Sequence, residues 1–126
     1  MAWCFDDEKT PYTEELLNWC AAGTDIYVAS VWPLEVTNVL LNAQRKGRVT
    51  EKRAQEFLEV LLDLPIHIDT VLAKRAFYEI RKLAHAHRLT SYDAAYLELA
   101  IRQGLPLASL DDDLKRAAIA AGIRTI

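Results

Sequence analysis

The chain has 126 residues, 52% apolar and 26% charged, with four Gly, four Pro, two Cys and a formal net charge of −3. A chain of this length makes one domain and buries roughly two-thirds of the surface its unfolded form exposes, so a core needs neither disulfides nor a structural metal, and disordered, collagenous and repeat classes are excluded. No apolar run nears the ~18 residues of a membrane span, Asp6, Asp7 and Glu8 stand where a secretory leader would be basic, and the charge balance argues against holding nucleic acid by bulk electrostatics; a soluble, cytoplasmic protein is expected.

Thr10 and Pro11 mark a helix start, with Leu16, Leu17 and Cys20 on one face before Gly23. A strand follows at residues 26–29. Pro33 opens a helix that carries Glu35, Val36, Val39 and Leu40 and stops at Gly47. Thr50 caps the next, where Ala54, Phe57, Leu58, Leu61 and Leu62 recur at helical spacing. Pro65 breaks it, and Ile66-His67-Ile68 alternates as a strand. Thr70 is expected to cap a long helix bearing Leu72, Ala76, Phe77, Ile80, Leu83 and Ala84. Residues 90–102 give a further helix closed by Gly104, and residues 105–110 an apolar strand interrupted by Pro106. Asp111 begins the last helix, Gly122 ends it, and residues 123–126 form a final strand. Strands separated by helices need crossover connections, so the fold class is α/β, three-layered, with a mainly parallel central sheet flanked by helices.

Three carboxylates fall just past the carboxyl end of a strand or in the first turn of a helix: Glu35, Asp93 and Asp111. Ligands bind there in open α/β sheets, so acids far apart in sequence are able to converge. Each also has an ordinary reading as a first-turn acid, Asp111 as an N-cap and Asp93 as the fourth residue of a Thr90-x-x-Asp93 capping box. Spacing alone leaves both readings open. The same holds for Arg45, Lys46, Arg48, Lys52 and Arg53, which crowd against the single acid Glu51 and are either a solvated helix end or a phosphate-contacting rim.

The stretch Leu89-Thr90-Ser91-Tyr92-Asp93-Ala94-Ala95-Tyr96-Leu97-Glu98-Leu99-Ala100 resembles the most recognisable motif of the PIN-domain family, particularly its VapC-type toxins. Val31-Trp32-Pro33-Leu34-Glu35-Val36-Thr37-Asn38-Val39-Leu40 is similar to the family's second acidic motif. Leu107-Ala108-Ser109-Leu110-Asp111 is similar to its last, with Ser109 where the family usually has Thr. The resemblance spans essentially the whole chain. It implies that Glu35, Asp93 and Asp111 are catalytic carboxylates holding Mg²⁺ or Mn²⁺ for RNA phosphodiester cleavage, with Asn38 and Ser109 as polar supports and Arg45, Lys46 and Arg48 as RNA-backbone contacts. A homodimer and a cognate antitoxin are implied in the same way. The chemistry is consistent, because hard divalent cations take oxygen ligands and carboxylates brought together without a cation repel one another.

Family members begin with an apolar strand ending in Asp, the first metal ligand, and residues 1–8 instead resemble the far end of the family's first helix. The first strand and its Asp are therefore expected to be missing, and the chain to be an N-terminally shortened single PIN-like domain. An alternative alignment makes residues 2–5 that strand and Asp6 the ligand. A chain without the strand is expected to complete its sheet by dimerisation, with Trp3 and Phe5 taking part. The second class of function open to it is a catalytically impaired remnant that binds protein or RNA.

Other chemistries are weaker. The D-x-D within Asp111-Asp112-Asp113 lacks the companions of an aspartyl-phosphate phosphatase, and His85 and His87 diverge by about 200° on a helix. The glycines are isolated helix terminators and form no phosphate loop. Cys4 and Cys20 suit reduced core thiols, and Trp3, Trp19 and Trp32 suit packing.

Overall fold

A computed structural model describes Asn18 and residues 22–126. Residues 1–17 and 19–21, which include most of the first expected helix and Trp3, Cys4, Phe5, Asp6, Trp19 and Cys20, lie outside the described residues. In order come β1 (Ile26–Val28), α1 (Trp32–Arg45), α2 (Glu51–Asp63), β2 (Ile66–Ile68), a continuous helical segment α3 over residues 73–87, α4 (Ser91–Gln103) and α5 (Asp112–Ala120). The fold class is α/β, rich in helix, with parallel strand pairing.

β1 and β2 are neighbours, and their register is parallel: the Ile26 N–H donates to the Pro65 carbonyl at 3.0 Å and the Asp69 N–H to that of Val28 at 2.9 Å. Across the pair His67 stacks on Tyr27, ring centroids 4.8 Å apart, and its Nε2 lies 2.9 Å from an Asp25 oxygen. Such cross-strand contacts are what holds a short ribbon in register.

Helix ends follow local chemistry closely. The Thr50 hydroxyl accepts from the Arg53 N–H, and the Thr90 hydroxyl from that of Asp93. Four helices end alike: one residue turns left-handed, and the next N–H reaches back five residues. Arg48 donates to Ala43, Leu89 to Ala84, Leu105 to Ala100 and Ile123 to Ala118, at 2.8–3.0 Å. Glycine supplies that turn at Gly47, Gly104 and Gly122, whereas Arg88 adopts φ 55° at the end of α3, a conformation that costs an L side chain energy. Helix α2 instead ends with Leu64 extended ahead of Pro65.

Three expectations change. Helix α3 starts at Ala73 after Leu72, with no side-chain cap, and not at Thr70, because the Asp69 N–H is still held by Val28 and the chain stays extended beyond it. Within α3, residues Ala76–Ile80 form a π turn, and Arg81 Nε donates to the Phe77 carbonyl. The strands expected at residues 105–110 and 123–126 reduce to one parallel bridge, Leu107 with Thr125. Pro106 has no N–H with which to lengthen that ladder.

The described residues fall into two compact units, residues 22–27 with 31–68, and residues 28–30 with 69–126. In the first, Val36, Leu40, Ala54 and Leu61 form the core, with Trp32, Phe57, Leu64 and Ile66 packed on it. In the second, Leu97, Ala100, Leu107, Leu114, Ala117 and Ala118 are buried together, flanked by Leu83, Leu89, Tyr96 and Ile123. Among the described residues no helix is long and apolar enough to cross a membrane.

Candidate active site

Asp93 is the third residue of α4, and its backbone N–H is the one Thr90 caps. Four residues further on, Leu97 anchors the helix in the core of the second unit. Asp111 is the N-cap of α5: its Oδ1 accepts from the Leu114 N–H at 2.9 Å, and Leu114 belongs to that same core. Ser109 turns back to hold the site, its hydroxyl accepting from the Asp111 N–H at 3.0 Å. Both acids thus sit one helical turn from a single buried cluster and are tied to it through their own helices.

The ordinary reading of Asp111 as a cap is therefore realised, and for Asp93 the Thr90 half of the capping box is formed. The cap engages one oxygen of an exposed Asp111, and the Thr90 bond involves only the Asp93 backbone. Because Asn caps helices as well as Asp does, Asp111→Asn is expected to change unfolding free energy by less than about 0.5 kcal/mol and Asp111→Ala to cost about 1 kcal/mol, measured by urea denaturation.

Glu35 belongs to the first unit. It lies in the first turn of α1 behind Pro33, its N–H donating to Val31, and is exposed, as is Asn38 one turn on. Arg45 and Lys46 close α1, and Arg48 lies just beyond it. Among the described residues no group of three or more His, Cys, Asp or Glu side chains is placed to hold a metal ion. Mg²⁺, however, is commonly held by only one or two carboxylates, with water and substrate phosphate completing its octahedron. The oxygen donors of Asp93 and Asp111 suit that chemistry.

A second polar cluster had escaped sequence reading. In the second unit Asp69, Arg75, Glu98 and Arg102 alternate in charge: Arg102 donates to Asp69 at 2.6 Å and to Glu98 at 2.8 Å, and Arg75 lies 3.5 Å from Glu98 and 3.8 Å from Asp69. Hydrogen bonding to Glu98, ahead of the opposing effect of burial, raises the Arg102 pKa. Glu98 is buried, and the cluster ties the residue following β2 to α3 and α4. Its sequence signal was an acid inside an apolar run with Arg four residues later.

The family model described as PIN domain matches residues 2–120. The chain belongs to the PIN-domain family and is of its VapC type. It is similar to the Ribonuclease VapC3 of Pyrobaculum aerophilum, 34% identical over 94 residues that cover 71% of this chain and 69% of that protein.

Proposed function

We propose that the chain is a divalent-cation-dependent endoribonuclease, the toxin of a toxin–antitoxin pair, cytoplasmic and homodimeric, with RNA as substrate and a cognate antitoxin as partner. The observation that carries the reading is the placement of Asp93 and Asp111 at the starts of two helices rooted in one core, in a chain 34% identical to a protein named a ribonuclease.

Asp93 and Asp111 hold the cation, Mg²⁺ or Mn²⁺. Held by these carboxylates, a divalent cation would supply an acidified water molecule and offset charge on the phosphate. Ser109 and Thr90 act on the backbone, keeping the two acids at their helix ends. Glu35, with Asn38 behind it, enters as a further carboxylate on the strength of its motif, and Glu35→Gln tests it separately. No side-chain nucleophile is required, since water attacks phosphorus and the departing ribose oxygen takes up a proton.

The test is cleavage of total RNA by the purified chain with Mg²⁺ or Mn²⁺. Cleavage that EDTA abolishes and added Mn²⁺ restores is expected. EDTA-resistant cleavage contradicts the metal assignment, and RNA left intact under all conditions contradicts the nuclease reading in favour of a binding module.

A further inference from the structure

Helix α2 has its charges the wrong way round. A helix carries partial positive charge at its N-terminus and negative at its C-terminus, so acids favour the first turn and bases the last. Here Lys52 and Arg53 are the second and third residues, while Asp63 is the last and no base occupies the final turn. The one acid of the first turn, Glu51, is engaged by Gln44, whose Nε2 donates to Oε2 at 2.6 Å. Just before it, Arg45 and Lys46 project from the end of α1. Arg45, Lys46, Lys52 and Arg53 are all exposed, and among the described residues none is within ion-pair distance of a carboxylate. In the second unit Arg75, Arg102 and Arg116 are paired, whereas Lys74 and Lys82, also exposed, are within ion-pair distance of no carboxylate among the described residues.

Lys52 and Arg53, adjacent to each other and opposed to their own helix dipole, are a stability cost without a local return, whereas Arg45 and Lys46 suit the end of α1 and add their charge just before that helix start. Local rules broken in this way mark function more often than fold. We infer that Arg45, Lys46, Lys52 and Arg53 form a phosphate-binding track for single-stranded RNA, with Lys52 and Arg53 as its principal contacts. That the polyanion is RNA rests on the nuclease reading; the track itself rests on charge placement. The chain as a whole, with a net charge of −3, repels a polyanion, so this local patch gives the RNA its orientation. Contacts of this kind position a strand without reading its bases.

The test measures binding of the whole chain to a labelled 20-nucleotide polyuridylate in EDTA, where metal-dependent hydrolysis does not intervene, across a range of salt concentration. Each phosphate contact to a single strand contributes about −0.7 to the slope of log K against log salt. Lys52→Gln with Arg53→Gln is expected to reduce the slope by about 1.4 and weaken binding about tenfold at physiological salt. The melting temperature is expected to stay level or rise, since a burden on the helix has been lifted. A charge-matched control, Lys74→Gln with Lys82→Gln, is expected to leave the slope unchanged.

An unchanged slope in the first variant overturns the assignment, as does an equal loss in the control. So does retained polyuridylate binding with lost binding to polyglutamate, which assigns the patch to an acidic protein partner. If the chain binds RNA through the track but cleaves none, the nuclease reading falls and the track stands.

Discussion

Replacing Asp93 with Asn is expected to lower cation-dependent RNA cleavage at least about a hundredfold, since even groups behind a metal ligand contribute 10- to 100-fold. The melting temperature should fall by no more than about 4 °C, the scale of about 1 kcal/mol at a half-buried position. The stability half of this expectation comes from the geometry. The Thr90 hydroxyl is bonded to the backbone N–H of residue 93, which Asn keeps, so that half of the cap stays intact. Asn also matches Asp in shape and differs chiefly in lacking the negative charge a cation requires. Cleavage assays and thermal melts on the same preparation check the pair of outcomes. A variant that loses activity and also melts far below the parent would instead assign Asp93 a structural role.

Leu97→Ala is expected to carry the largest stability cost, about 3 kcal/mol and a fall of roughly 12 °C in melting temperature. Leu97 has 0% relative exposure, and its neighbours Ala100, Ala117 and Ala118 are too short to move into the space it would vacate. The cost at a fixed substitution grows with the cavity that survives. Leu62, at 84% exposure, is the contrasting site; Leu62→Ala is expected to change stability by no more than about 0.5 kcal/mol. Differential scanning calorimetry on the two variants distinguishes them. Because Leu97 lies one turn from Asp93, its loss is expected to weaken activity as well, through a looser helix start.

What was legible in the sequence is mainly what a few consecutive residues decide by themselves. Thr50, Thr90 and Asp111 cap the helices they were expected to begin, and Gly47, Gly104 and Gly122 take the left-handed turns that end them. Those signals act within one turn of backbone. The failures are places where a distant partner decides. Thr70 is a good cap by composition, but Val28 holds the neighbouring Asp69 N–H and the helix begins later. The apolar segments around Leu107 and Thr125 look like full strands, yet Pro106 leaves them one bridge. Arg88 takes a turn that composition would assign to glycine, and nothing local announces the π turn over Ala76–Ile80. The four-membered cluster around Glu98 was out of reach because Asp69 and Arg102 are 33 positions apart.

The candidate site divides in the same way. That Asp93 and Asp111 would stand at helix starts followed from their neighbours, and the structure adds that one core supports both helices. Their chemistry was suggested by the motif resemblance, and family membership agrees with that resemblance. The expectations on residues 1–17, including a missing first ligand and the alternative of Asp6, concern a part of the chain outside the described residues.

The most direct measurement is a calorimetric titration of the chain with Mn²⁺, repeated on Asp93→Asn and on Asp111→Asn. The account predicts a saturable binding event in the parent that is lost or at least about tenfold weaker in each variant, with both variants folded. Binding of equal affinity and stoichiometry in all three proteins would contradict it, because the cation would then be held by other residues.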